Sequence, residues 1–255
     1  GKTAAKATKM SVKGKVEQVV PGQGLLVTGA DGKKYAVGFN QTSKVGLVGN
    51  ASIDIIEAGA YVQATSGGAL YRKATFLHDS LGQLVLPKHI DIIEDPHILK
   101  GKGSAPFDDE GVVTRKRKVV KNGVVQGYFL SSYSARKLGM RTTGHAGGSQ
   151  NLVLQSRLTN PKDNLKAMLK KLHCGLFVTE LMGQGVNYVT GDYSRGASGF
   201  WVEGGEIAFP VHELTIAGNL RDMFRDVVAV GTDVDEQGAI RCGSVLIGAL
   251  TIAGE

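Results

Sequence analysis

Apolar residues in this chain fall mostly in short, often alternating runs broken by glycine, the pattern of many short strands joined by tight turns. Val12, Val16, Val19 and Val20 mark a first strand, Leu25-Leu26-Val27 a second, and alternating Tyr35, Val37 and Phe39 a third. Asp31-Gly32 lies between the last two and is a strong hairpin turn signal. Ile53, Ile55 and Ile56 suggest a further strand. Residues 112–120 and 124–130 flank Asn122-Gly123, a favoured two-residue turn, and Gly204-Gly205 separates Trp201-Val202 from Ile207–Phe209 in the same manner. One helix stands out. Asn160 can cap it, Pro161 suits its first position, Leu165, Met168, Leu169 and Leu172 form its apolar stripe, and Gly175 ends it. A second, short helix is expected over residues 215–224. The phrase Leu-Thr-Ile-Ala-Gly occurs at 214–218 and again at 250–254, a repeat too short to establish a duplicated unit.

These elements predict a mainly β protein with a few helices, of the α+β class. Residues 1–10 read as a disordered, Lys-rich lead and 11–66 as a small β unit. Residues 67–255 read as the main domain, a large antiparallel sheet or a barrel-like fold. The small unit is faintly similar to a cold-shock or OB-type barrel, which binds single strands by stacking bases on surface aromatics. Leu25 and Leu26 hold the positions where those aromatics belong, so nucleic acid is not expected as a partner.

Composition narrows the picture further. The net charge is +7, yet residues 1–50 hold 8 Lys against 2 acids while the rest is nearly balanced. The basic character therefore belongs to the N-terminal segment and is not a footprint of the whole chain. No apolar run approaches the ~18 residues of a membrane span, and the first residues lack the apolar stretch of a signal peptide. With only 2 Cys, no disulfide framework is expected, and a cytoplasmic protein with no membrane partner is the default.

Residues 183–199 read Gly-Gln-Gly-Val-Asn-Tyr-Val-Thr-Gly-Asp-Tyr-Ser-Arg-Gly-Ala-Ser-Gly, a glycine-rich stretch carrying more polar groups than a solvated turn requires. The run continues through 201–211 to Thr215-Ile216-Ala217-Gly218-Asn219-Leu220, and it is preceded by Thr143-Gly144-His145-Ala146-Gly147-Gly148 and by Gly67-Gly68-Ala69-Leu70-Tyr71. In these motifs the chain resembles the C-terminal part of the PmbA (TldE) branch of the TldD/PmbA family, from about residue 67 to 255. That family supplies the subunits of a cytosolic bacterial metallopeptidase. Residues 1–66 do not match its usual N-terminal domain.

The resemblance implies a metallopeptidase complex acting on short or unfolded peptides. It implies a TldD-type partner that holds zinc or another divalent metal, with no cofactor in this chain, in a heterodimer or higher assembly; a homodimer is the alternative. The TldD branch carries a His-Glu-x-x-x-His helix. Here only His212-Glu213 begins that pattern, and the fifth residue after His212 is Ala217. No catalytic residue is assigned on this basis. Cys242, in a Cys-Gly pair that matches the metal-binding branch locally, is the candidate metal ligand. Cys174 follows the helix and reads as core.

His145, Asn187, Asp192, Ser194 and Arg195 are the candidates for contact with substrate or partner. His145 could bind a peptide carbonyl or fix its own loop. Arg136 and Lys137 could steer an acidic substrate or partner surface. The glycines of 183–199 lack the helix that a dinucleotide fingerprint needs, and Ser194 lacks the spacing of a nucleophile elbow. Main-chain recognition of an extended peptide is the more physical reading, because an open strand edge needs little side-chain specificity. Two other readings stand beside it: a basic β-barrel binding module for nucleic acid or an acidic protein on an inactive peptidase-derived scaffold, and a truncated remnant.

Overall fold

The computed structural model describes residues 58–234 and 238–254, together with the backbone of four strands between residues 14 and 53. The lysine-rich lead, the Asp31-Gly32 turn and residues Ile55 and Ile56 lie outside the described residues. Two compact units are present, Gly1–Val45 and Gly46–Glu255. In the first, β1 (Gly14–Val20), β2 (Gly24–Gly29) and β3 (Lys34–Gly38) form an antiparallel sheet in that order.

The second unit begins with β4 (Leu47–Ile53), α1 (Ala58–Ala64), α2 (Gly67–Tyr71), β5 (Ile90–Glu94) and β6 (Arg117–Lys121). Next come β7 (Val124–Val125), α3 (Ser132–Lys137), β8 (Leu152–Ser156), α4 (Leu165–Leu172) and β9 (Gly175–Met182). It ends with β10 (Asp192–Glu203), β11 (Glu206–Asn219), α5 (Leu220–Arg225), β12 (Val227–Val230), β13 (Ile240–Arg241) and β14 (Val245–Ala253). The α+β class and the predominance of antiparallel strands follow directly. β4 pairs with β14 and β9, so it belongs to the second unit rather than to the small N-terminal sheet, and the unit boundary falls well before residue 66.

One sheet runs β11-β10-β9-β4-β14-β12, and β11 also pairs with β14. The five strands β11, β10, β9, β4 and β14 therefore return on themselves as a closed ring. The closure explains the repeated pentapeptide. Thr215 pairs with Ala253, Ile216 with Ile252 and Ala217 with Thr251, so the two copies face each other in antiparallel register about a central isoleucine pair. Both isoleucines are buried. Each copy ends in a glycine lying against the other copy's leucine. A Cβ on Gly218 would stand 2.9 Å from Leu250 Cδ2, and one on Gly254 would stand 2.3 Å from Leu214 Cδ2.

A second sheet, β13-β8-β5-β6-β7, contributes to the same core. Phe224 of α5 anchors that core, with ring centroids 6.3 Å from Tyr61 and 5.8 Å from Phe76. Both hairpin turns read from the sequence are present. Asn122 and Gly123 have φ of 52° and 76°, and Gly204 and Gly205 have φ of 60° and 82°, the left-handed pair that a tight two-residue hairpin requires.

The helices differ from expectation in detail. α4 starts after Asn164, whose Oδ1 accepts from Ala167 N at 3.1 Å, because Asn160 closes a separate turn with Asp163. Met168, Leu169 and Leu172 of the apolar stripe are buried, and Leu165 is exposed. His173 at φ 60° ends the helix, and Gly175 opens β9. Cys174 lies in that turn and is exposed, not core. Residues 215–219 extend β11 instead of starting a helix, since pairing with β14 satisfies their backbone; α5 begins only after Asn219, whose side chain accepts from Arg221 N. No helix among the described residues is long and apolar enough to cross a membrane.

Candidate functional site

The glycine-rich stretch divides into two parts. Residues 183–191 form a loop, and Asp192 onward is strand β10, paired on both sides by β9 and β11. Asn187 organises the loop. Its Oδ1 accepts from Val189 N at 3.0 Å and Thr190 N at 3.4 Å, an Asx turn, while Asn187 O accepts from Gly191 N at 2.7 Å. The Asp192 carboxylate accepts from Thr190 Oγ1 at 2.7 Å and from Asn219 Nδ2 at 3.1 Å. The structure thus brings Asn187 and Asp192 together with Thr190 and with Asn219, a residue not singled out in the sequence. Their side chains form an exposed polar rim beside the start of α5.

Ser194 is exposed on β10, and Arg195 lies on the strand face shared with buried Tyr193 and Ala197. The backbone holds loop and strand in close apposition. Ser194 N donates to Gly185 O at 2.7 Å, and a Cβ on Gly185 would stand 1.5 Å from Ser194 O. Gly185→Val is therefore expected to destabilise the second unit by about 1–3 kcal/mol, as overpacking does. Thermal unfolding measures this, and a variant as stable as the parent would show that the loop can move away from β10.

β11 carries the second feature of this face. Only Thr215–Ala217 pair with β14, so over residues 206–214 one edge of the strand meets no other strand among the described residues. Ile207 and Phe209 are exposed along it. Leu214 pairs with Ala197 and Val211 with Gly199, which leaves His212 and Glu213 opposite the single residue Ser198. This is a β-bulge, with Glu213 at φ 55°. His212 and Ala217 therefore lie on an extended strand with a bulge between them, not one turn apart on a helix.

His145 belongs to a different environment. Its side chain is 1% exposed and sits over the second sheet. Glu94 Oε2 lies 2.8 Å from His145 Nε2. Arg117 Nη2 lies 3.2 Å from the same Nε2, and Thr143 Oγ1 at 2.9 Å meets Nδ1. Glu94 also accepts from Arg117 Nε at 2.8 Å and from Gln150 N at 2.9 Å. The Phe129 ring lies edge-on to the imidazole at 5.1 Å, with the Arg117 guanidinium over its face. Burial raises the Glu94 pKa, but the His145 hydrogen bond and the Arg117 charge outweigh it and hold the carboxyl below its ordinary value. Of the two roles open to His145, this geometry supports fixing the loop. Its partners were missed in the sequence; the signal was a pair of acids, Asp91 and Glu94, inside an otherwise apolar strand.

Cys242 is half-buried and packs against the main core. Among the described residues no three His, Cys, Asp or Glu side chains converge as a group that could hold a metal ion. Arg136 and Lys137 close the last turn of α3, exposed, with Lys137 Nζ 5.7 Å from the Tyr133 ring.

Comparison with known proteins agrees with this architecture. Residues 44–254 match the family described as the PmbA/TldA metallopeptidase C-terminal domain. The chain is 54% identical over 197 residues to "Metalloprotease PmbA" of Escherichia coli O157:H7, covering 77% of this chain and 43% of that protein. It is 52% identical over 194 residues to the "Metalloprotease PmbA homolog" of Haemophilus influenzae, covering 76% of this chain and 42% of that one. The chain thus spans under half the length of these curated relatives. In fold it is similar to the crystal structure of TldE from Thermococcus kodakarensis, with a TM-score of 0.68 and 23% identity over 84% of this chain and 51% of that one. The chain belongs to the PmbA/TldD metallopeptidase family, and residues 44–254 are its C-terminal domain.

Proposed function

We propose that this chain acts as the PmbA/TldE-type subunit of a two-component cytoplasmic metallopeptidase, guiding extended peptides while a TldD-type partner supplies the metal and the cleavage chemistry. The observation that carries the reading is the conformation of His212-Glu213. A metal helix sets two imidazoles one turn apart on one face. Here the corresponding His-Glu pair occupies a β-bulge on an extended strand, beside a backbone edge that pairs with no strand among the described residues. Such an edge binds a peptide through main-chain hydrogen bonds and makes little demand on its sequence. The polar rim of Asn187, Thr190, Asp192 and Asn219 lies at the far end of the β10–β11 hairpin from the Gly204-Gly205 turn, and on this reading it faces the peptide path or the partner. Zinc or another divalent metal is then a requirement of the partner.

Reconstitution tests the reading. Alone, the chain is expected to hold no stoichiometric zinc after dialysis and to leave unstructured peptides intact. Adding a TldD-type chain is expected to give cleavage that a chelator abolishes. Robust, chelator-insensitive cleavage by the single chain would overturn the assignment, as would one tightly held zinc per chain that is lost in Cys242→Ser.

A further inference from the structure

The second unit has a concavity of about 280 Å³ lined in part by Phe76 and by no residue of the 183–191 loop. Buried Phe76, Val85 and Phe224 supply apolar walls. Arg221 and Arg225 line it as well, one helical turn apart and so on one face of α5. Arg221 Nη2 donates to Phe76 O at 2.7 Å, which fixes the guanidinium at the pocket. A guanidinium carries five N–H donors, so this bond leaves others for a ligand. Neither arginine forms an ion pair among the described residues. The one acid lining the pocket, Asp79, is paired with His78 at 2.7 Å. Gln83 also lines it, offering the donor and acceptor that a peptide unit needs.

Two cations with no acidic partner among the described residues, set at an apolar hollow, match a carboxylate carried on an apolar group. The volume is at the small end for ligand sites and suits a terminal residue rather than a long segment. We propose that this pocket holds the C-terminal carboxylate and apolar last side chain of a peptide, with Arg221 and Arg225 on the carboxylate and Gln83 on the last peptide unit. This assignment rests on the peptide-handling function above and adds a second, terminus-specific contact to it. The pocket is also joined to the loop, since Phe76 N donates to Tyr188 O at 2.8 Å.

The test is a binding titration of this chain, followed by NMR or calorimetry, with three probes: N-acetyl-leucine, N-acetyl-leucinamide and hexanoate. N-acetyl-leucine is expected to bind at least tenfold more tightly than the other two. Arg225→Gln, at an exposed position, is expected to weaken N-acetyl-leucine at least tenfold with an unchanged unfolding temperature. Equal binding of the amide would overturn the role of the carboxylate, and hexanoate binding as tight as N-acetyl-leucine would overturn the peptide terminus. Unchanged affinity in Arg225→Gln, or no binding of N-acetyl-leucine at all, would dismiss the site. The assay contains neither partner nor metal. A failure here leaves the subunit assignment standing, and a failed reconstitution leaves this binding measurable.

Discussion

Arg117→Ala is expected to destabilise the second unit by about 3–5 kcal/mol, the usual cost of removing one partner from a buried ion pair. The Glu94 side chain is fully buried and that of Arg117 is only 19% exposed, so water cannot replace the lost guanidinium. Its other bond, Nη1 to Tyr128 O at 2.9 Å, is lost as well. For a unit of this size the midpoint of thermal unfolding should fall by roughly ten degrees. Glu94→Gln combined with Arg117→Met should recover more than half of the loss, because the unpaired charge is gone. If Arg117→Ala unfolds at the parent temperature, the network does not support the fold.

The same network sets a pH dependence. Glu94 is held below its ordinary pKa in the folded state, as are Asp91, Asp108 and Asp163. A depressed carboxyl contributes stability that is fully present above its unfolded pKa, about 4.3 for Glu, and that is lost as pH falls through the lower folded value. Stability should therefore decline on the acid side, and Glu94→Gln should flatten part of that decline. In Arg117→Ala the decline should begin at higher pH, since burial is then opposed by His145 with less help.

The second large effect is expected at the closure of the ring. Gly218→Val places a side chain against Leu250 Cδ2, only 2.9 Å from the new Cβ, inside a strand pair with no slack. Overpacking of this kind costs about 1–3 kcal/mol. Because the two pentapeptides pair symmetrically, relief should come from the opposite copy. Gly218→Val with Leu250→Ala should be more stable than the sum of the two single changes, and Gly254→Val with Leu214→Ala should behave alike. Denaturant unfolding of each single and double variant gives the coupling. Strictly additive losses would show that the leucines and glycines do not share space.

Much of this protein was legible in its sequence, for a local reason. Asn122-Gly123 and Gly204-Gly205 specify their turns because only such residues accept two successive left-handed conformations. The apolar stripe of α4 was readable from its helical spacing. The family motifs, too, are contiguous stretches of chain. Where local signals competed, sequence reasoning slipped. Asn160 and Asn164 are both good caps, and only the Asn160–Asp163 hydrogen bonds choose between them.

Tertiary structure decided everything that depends on which distant segments meet. Thr215–Asn219 has residues compatible with a helix, and it becomes strand because β14, more than thirty residues later, pairs with it. β4 joins the second unit because β9 and β14 flank it, a pairing that no spacing within residues 11–66 encodes. His145 resembles a ligand-binding histidine in an open glycine-rich loop until Glu94, Arg117 and Gln150 close around it. Burial of charge is a property of the assembled core: a sequence names the charged residue, and the fold alone determines whether it faces water or a partner.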